Sequence, residues 1–478
     1  MMHKPRLFKL HNKKQRSQPR SITGSSFLLS VALLCGCAVG PTYEKPELKL
    51  AETFSDTQKD QALQQGVILD VASERWWESF SDETLNRWVT QGLDRNLDIA
   101  MAVERISAAQ ATLNGTGINA AVSGSLSAES TRSGADGISA STSDSVSLSG
   151  NLALDLFGGI RRERQAATAS FYAAIDDSQT ARLAYLSALV SAYINARYYQ
   201  YAVTLTEQSI ASRQKTLDIT QRQRSVGSAT ELGEAQVRAL LYTAKADIPD
   251  LEAGYLAQIY AMATLLDVPA SGLLQEMART EPTEKELLGL TLVTPYETGV
   301  PADLLRNRPD VRSAEQSLRA AVANVGVAEA ARLPSLSLSG TITSNDDSWS
   351  FGPILSLPIF NQGALKANLD QSASAAREAA LQYRQTVLEA VEDVQSANSA
   401  WLRDRKKVDW LQQAVTSYDR SLELSLATYQ AGVMTLLDLL DTDRSLASAR
   451  LQYAAALRDL SVDWATLQIA LGAGAQPE

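Results

Sequence analysis

The chain has 478 residues, with 44 Lys and Arg against 54 Asp and Glu, a formal net charge of −10, and only two histidines and two cysteines. His3, His11, Cys35 and Cys37 all lie at the N-terminal end, so the rest of the chain lacks the commonest general base, the commonest zinc ligands and a thiol nucleophile. Without a G-x-S-x-G, P-loop or G-x-G-x-x-G pattern either, the sequence disfavours an enzyme, and its acidic balance argues against a nucleic-acid partner.

Residues 1–36 carry seven basic residues (Lys4, Arg6, Lys9, Lys13, Lys14, Arg16, Arg20), no acid, and the short apolar run SSFLLSVALL before CGC. That is the form of a secretory signal rather than of a membrane-spanning helix. Leu34, Cys35 and Gly36 before Cys37 look like a lipobox, with Cys35 where a small residue is usual, and Cys37 is read as the lipidated N-terminus. The alternative is an ordinary signal cut elsewhere, with Cys35 and Cys37 as an exported pair. Removing the seven basic residues takes the net charge from −10 to −17. No later apolar run approaches the ~18 residues of a transmembrane helix, so a membrane segment would have to be built from strands.

After a Pro-bearing tether (37–75), the order of elements is written twice. DIAMAVERISAAQATLNGTGINAAVSGSLS from Asp98 aligns without a gap on DVRSAEQSLRAAVANVGVAEAARLPSLSLS from Asp310. LDLFGGIR pairs with LPIFNQGALK, and VGSATELGEAQ with AGVMTLLDLLD. A first repeat (76–268), a Pro-rich linker (269–301), a second repeat (302–472) and a short tail (473–478) follow from this. Each repeat reads as helix, two strands, very long helix, turn, helix. In VSLSGNLAL, SLSLSGTIT and WSFGPILSL, apolar residues alternate with Ser, Asn and Gly, which predicts half-buried strands. Val387, Val394, Trp401, Val408, Val415, Leu422 and Tyr429 recur every seven residues, as do Leu439, Leu446, Tyr453, Leu460 and Leu467. Sustained heptads predict helices that coil around neighbours, in rods on the order of 100 Å long over 159–226 and 363–429. Trp76 and Trp77 are expected in a core.

Two glycine-bearing turns end the rods: Val226, Gly227, Ser228, Ala229, Thr230 and Ala431, Gly432, Val433, Met434, Thr435. Gly227 and Gly432 suit positive φ, and Thr230 and Thr435 suit helix N-caps. Thr435 with Asp438 resembles a capping box; Asp441 is left without a role by that reading. Four strands cannot close a barrel, since about eight are the minimum, and open edges do not survive in lipid. Several chains are therefore needed, and two, three or four satisfy the arithmetic.

LLRNRPDVRSAEQSLRAAVANVGVAEAARLPSLSLSG, the LDLFGG/LPIFNQG pair and CAVGPTYEKP after the lipobox resemble the outer-membrane factors of tripartite efflux systems, the TolC/OprM type and its NodT lipoprotein branch. The resemblance covers nearly all of the chain beyond the leader. It implies an α+β, mostly α fold: a homotrimer with a twelve-stranded barrel in the outer membrane of a Gram-negative cell, continuous with a helical coiled-coil tunnel through the periplasm. A periplasmic adaptor (membrane fusion protein) and an inner-membrane pump would feed it, with no cofactor of its own, for passive, gated export of small compounds such as drugs. It also implies that Tyr429, Asp438 and Asp441 line a periplasmic aperture, and that the two turns dock the adaptor. Where some relatives carry basic partners for these acids, this chain has Thr428 and Met434, which argues against a salt-bridge latch there. The plain reading makes Asp438 a cap, Asp441 a solvated side chain and Tyr429 the last heptad residue. A different class, a periplasm-spanning structural lipoprotein that conducts nothing, fits the rods as well.

Overall fold

A computed structural model describes residues 38–46, 67–68, 75–279, 296–297, 308–344 and 347–475. Cys37, the leader, most of the tether and most of the Pro-rich linker lie outside the described residues. A short helical turn, Trp76–Phe80, leads into α1 (Glu83–Arg95) and α2 (Leu97–Asn114). Asp82 caps α1 through the N–H groups of Thr84 and Leu85, and Asn96 caps α2 through those of Asp98 and Ile99. Strands β1 (Val122–Ala135) and β2 (Ile138–Leu154) form the first hairpin. They are followed by α3 (Gly159–Ser225, 67 residues), α4 (Glu231–Leu266) and α5 (Ala270–Met277). The second repeat runs α6 (Pro309–Ala330), β3 (Ser335–Thr343), β4 (Ser348–Ser356), α7 (Gln362–Gln430, 69 residues) and α8 (Leu436–Ala470).

At about 1.5 Å per residue each long helix is on the order of 100 Å. They pack as two hairpins, α3 on α4 and α7 on α8, joined where α8 meets α3 and where α6 lies between α3 and α7. Both heptad series point inward: Val387, Val394, Trp401, Val408 and Tyr429 are buried on α7, and Leu439, Leu446, Tyr453, Leu460 and Leu467 on α8. The largest core gathers Trp76, Trp77, Phe80 and Trp88 with the middle of α3 and α7 and the C-terminal parts of α4 and α8. Trp76 and Phe80 stack edge-on against Trp464, with centroids 5.6 and 5.0 Å apart. Trp76 and Trp77 are thus core residues, as their sequence suggests.

Three segments read as loose from their composition are packed. The first part of the Pro-rich linker is α5, whose Leu273 and Met277 are buried and whose Glu276 accepts from Trp88 Nε1 at 2.8 Å and Arg87 at 2.9 Å. Pro269 stands at the N-cap of that helix rather than in a linker. Within the tether, Val39 N–H donates to Phe157 O at 2.9 Å, Arg162 donates to the carbonyls of Val39 and Gly40, and Glu315 accepts from Tyr43 and Lys45. In the tail, Ala473 is buried and Gly474 O accepts from Arg182 at 2.8 Å.

Candidate functional site

The four strands form one antiparallel meander in the order β1-β2-β3-β4. Register puts the alternating apolar strand residues on one side, with Ile354 on the other. Leu126 pairs with Leu148, Leu148 with Ile342, Ile342 with Trp349, and Leu154 with Leu336, which pairs with Leu355. The other side is a field of hydroxyls, in which Ser125 and Ser149 approach to 2.8 Å and Ser147 and Thr343 to 3.3 Å. The edge strands are not half-buried as the alternation predicts, Trp349 being 77% and Leu126 73% exposed, whereas most of the central β3 is half-buried. Among the described residues no long helix runs along either face; the helical turn Ile118–Ala121 meets the first hairpin at its end. Among the described residues, β1 and β4 each have an edge with no strand beside it. Among the described residues no helix is long and apolar enough to cross a membrane.

At the far end of the rods are the two turns. Gly227 (φ 80°) and Gly432 (φ 74°) take the left-handed conformation, and no atom crowds either site, so backbone rather than space requires glycine. Val433 N–H closes onto Thr428 O at 3.0 Å and Ser228 N–H onto Gln223 O at 2.8 Å, finishing the long helices. The next helices start on threonine caps: Thr230 accepts from Gly233 N–H at 3.2 Å and Thr435 from Asp438 N–H at 3.3 Å. Thr435 also donates to the Asp438 carboxylate at 2.6 Å, so Thr435 is the cap and Asp438 is bonded to it. Asp441 is solvated, its side chain 80% exposed and 3.9 Å from Arg444. Tyr429 is turned into the bundle, donating to Gln223 Oε1 at 2.7 Å beside Thr220. Ala229, Met434 and Ala431 complete the turns, whose apolar crowns, Val226 and Val433, are each 78% exposed.

The halves are pinned by a pair that sequence reading missed. Arg213 on α3 donates to Asp443 on α8 at 2.7 Å, both side chains 8% exposed. Ser212 also donates to Asp443, and Arg213 reaches Leu240 O on α4 at 3.1 Å. A latch is therefore present, two residues beyond Asp441 and at neither Thr428 nor Met434. On the first turn, Glu234 accepts from Arg224 at 2.6 Å, from Gln221 at 3.1 Å and from Arg238. The Arg224 bond foremost holds its carboxyl below the usual carboxylate range.

Two tandem copies of one sequence pattern, each a strand hairpin on a helical rod, are matched by the outer membrane efflux protein family over residues 88–267 and 300–473. The chain belongs to the outer membrane efflux protein family. It is 38% identical to a nodulation protein T of Rhizobium leguminosarum bv. viciae over 94% of both chains. Over 88% of this chain and 90% of the relative it is 30% identical to outer membrane protein OprJ of Pseudomonas aeruginosa. Among solved structures, the outer-membrane channel OprN superposes with a TM-score of 0.81 at 28% identity, covering 92% of this chain and all of that one. The protein is an outer-membrane channel of a Gram-negative efflux system, a member of a non-enzymatic family.

Proposed function

We propose that three copies of this chain close into one twelve-stranded barrel continuous with a helical duct, and that the duct passively passes small compounds delivered by a pump. The observation that carries this reading is the four-stranded sheet with an apolar side, a hydroxyl side and two unpaired edges. In lipid, unpaired backbone groups cost several kcal/mol each, and edge-to-edge pairing of copies removes both edges. Apolar residues then face lipid and serines face the lumen, the alternation of a water-filled barrel.

The apolar, exposed turns at 226–230 and 431–435 are the docking tips for a periplasmic adaptor, which joins the duct to an inner-membrane pump. Asp441, solvated next to the second turn, lines the closed aperture as a threefold carboxylate ring. Asp438 is bonded to the Thr435 cap at the helix start, and Tyr429 clamps α7 to α3 through Gln223. Cys37 carries lipid. This reading is supported by the neighbouring residues 38–46, which are bonded to the strand–helix junction at Phe157 and Arg162, the level at which an anchor meets the membrane surface. Native mass measurement of detergent-extracted protein tests the assembly. Three chains, each heavier than the processed polypeptide by its acyl groups, are expected; a monomer or dimer rules the closed barrel out.

A further inference from the structure

The two hairpins differ in height. β3 and β4 end where Thr343 pairs with Ser147, and the turn between them is capped by Ser344, whose N–H donates to Val146 O at 2.9 Å. β1 and β2 stay paired beyond this level, from Glu129 opposite Ser145 to Ala135 opposite Ile138, as a ribbon with no strand on either side among the described residues. On the apolar side the series Leu126/Leu148 and Ala128/Val146 gives way to Ser130 donating to Asp144 at 2.6 Å, then to Arg132 opposite Thr142. The apolar band ends at Val146, and the ribbon stands in water beyond it.

On the hydroxyl side the strands carry Ser, Thr and Asn, with Ala135, Ala153, Gly352 and Ile354 as the uncharged exceptions, and a single ionisable residue, Glu129. Glu129 shares that side with Ser125 and Ser127, two residues past Ser127 and so about 7 Å above the top of the four-stranded sheet. Its carboxylate is exposed and accepts from Thr131 at 2.9 Å, and among the described residues no cation bonds it. The neighbouring β3–β4 turn has two acids: Asp346 lies outside the described residues, and Asp347 lines a recess on the apolar side together with Leu148 and Trp349.

We propose that Glu129 sets the charge preference of the outer mouth: three copies form a carboxylate ring at the exit rim of an otherwise uncharged barrel lumen, favouring cationic over anionic solutes. This rests on the closed-trimer reading. Twelve strands about 4.8 Å apart, tilted about 40°, close at a radius of about 12 Å, which leaves an inward carboxylate about 10 Å from the axis. Three such charges in water concentrate a monovalent cation on the axis about fourfold at ~10 mM salt, where the Debye length is ~30 Å. The gain falls below about twofold at ~0.15 M and vanishes at ~1 M.

Reversal potentials of the full-length protein in planar bilayers, with the dilute KCl solution on the side of the outer mouth, test the ring. Because the ring that concentrates K+ about fourfold depletes Cl− by the same factor, Glu129→Gln is expected to lower K+ over Cl− preference about sixteenfold at ~10 mM and leave it unchanged at ~1 M, and Glu129→Lys to turn the preference toward Cl−. Full single-channel conductance with an unaltered reversal potential in both variants overturns the role of Glu129 while leaving the duct intact. No conductance from either the unmodified protein or the Asp443→Ala variant overturns the duct and this proposal together.

Discussion

Asp443 and Asp441 stand two residues apart on one helix and have opposite environments. Asp443 is buried against Arg213, while Asp441 is solvated. Replacing Asp443 by Ala leaves a buried guanidinium without its counter-charge, a loss of about 3–5 kcal/mol, which thermal unfolding reports as a large drop in melting temperature. Asp441→Ala, by contrast, changes stability by less than ~0.5 kcal/mol, as surface substitutions do, and any effect it has appears in conductance alone. At Gly432, φ of 74° makes a side chain costly; Gly432→Ala loses about 1 kcal/mol through the backbone without removing a contact. Equal losses from Asp443→Ala and Asp441→Ala contradict this account of the two acids.

Among the elements, the strands and α8 carry the sharpest consequences. Leu148 and Ser149 are neighbours on opposite sides of β2. Leu148→Arg places a charge in the lipid band at about 2–4 kcal/mol and lowers the yield of assembled barrel, whereas Ser149→Arg faces the lumen and assembles; electrophoresis of unheated membranes distinguishes them. On α8, burial first, then repulsion from Asp404 and Asp459, pushes the Asp463 carboxyl up to about 6, with Lys407 opposing. An acid whose pKa is higher folded than unfolded (3.8) binds more protons in the folded state. Stability is then greatest below the unfolded value, declines as pH rises toward 6, and stays lowered above it. Asp463→Asn should therefore gain about 1 kcal/mol at about pH 7.5, after allowing for its partial exposure, and nothing near pH 4. A melting-temperature gain that is the same at both pH values refutes the burial argument.

For the whole molecule, what the sequence made legible was whatever repeats locally. Period two and period seven marked the strands and rods, and Gly227 with Thr230 and Gly432 with Thr435 marked the tips within a residue, because caps and positive φ are demands of a few neighbouring positions. The Arg213–Asp443 latch was hidden, since its partners are 230 residues apart and neither breaks its helical pattern. The taller first hairpin was hidden too: beyond Val146 its Ser/Thr-rich strands alternate no hydrophobicity, so pairing there follows from the hairpin alone. Helix α5, eight residues with a glycine inside and a proline at its cap, offered too little periodicity to separate it from a linker. What unites the visible and hidden features is a sheet that satisfies its edges only with other copies of itself, set on rods too long for one compact core. The claim that follows is a conducting duct. Single-channel recording of the purified full-length protein in a planar bilayer tests it most directly: small, intermittent currents are predicted for the unmodified protein and larger, longer openings for Asp443→Ala, which releases α8 from α3. A bilayer that stays silent with both would contradict it.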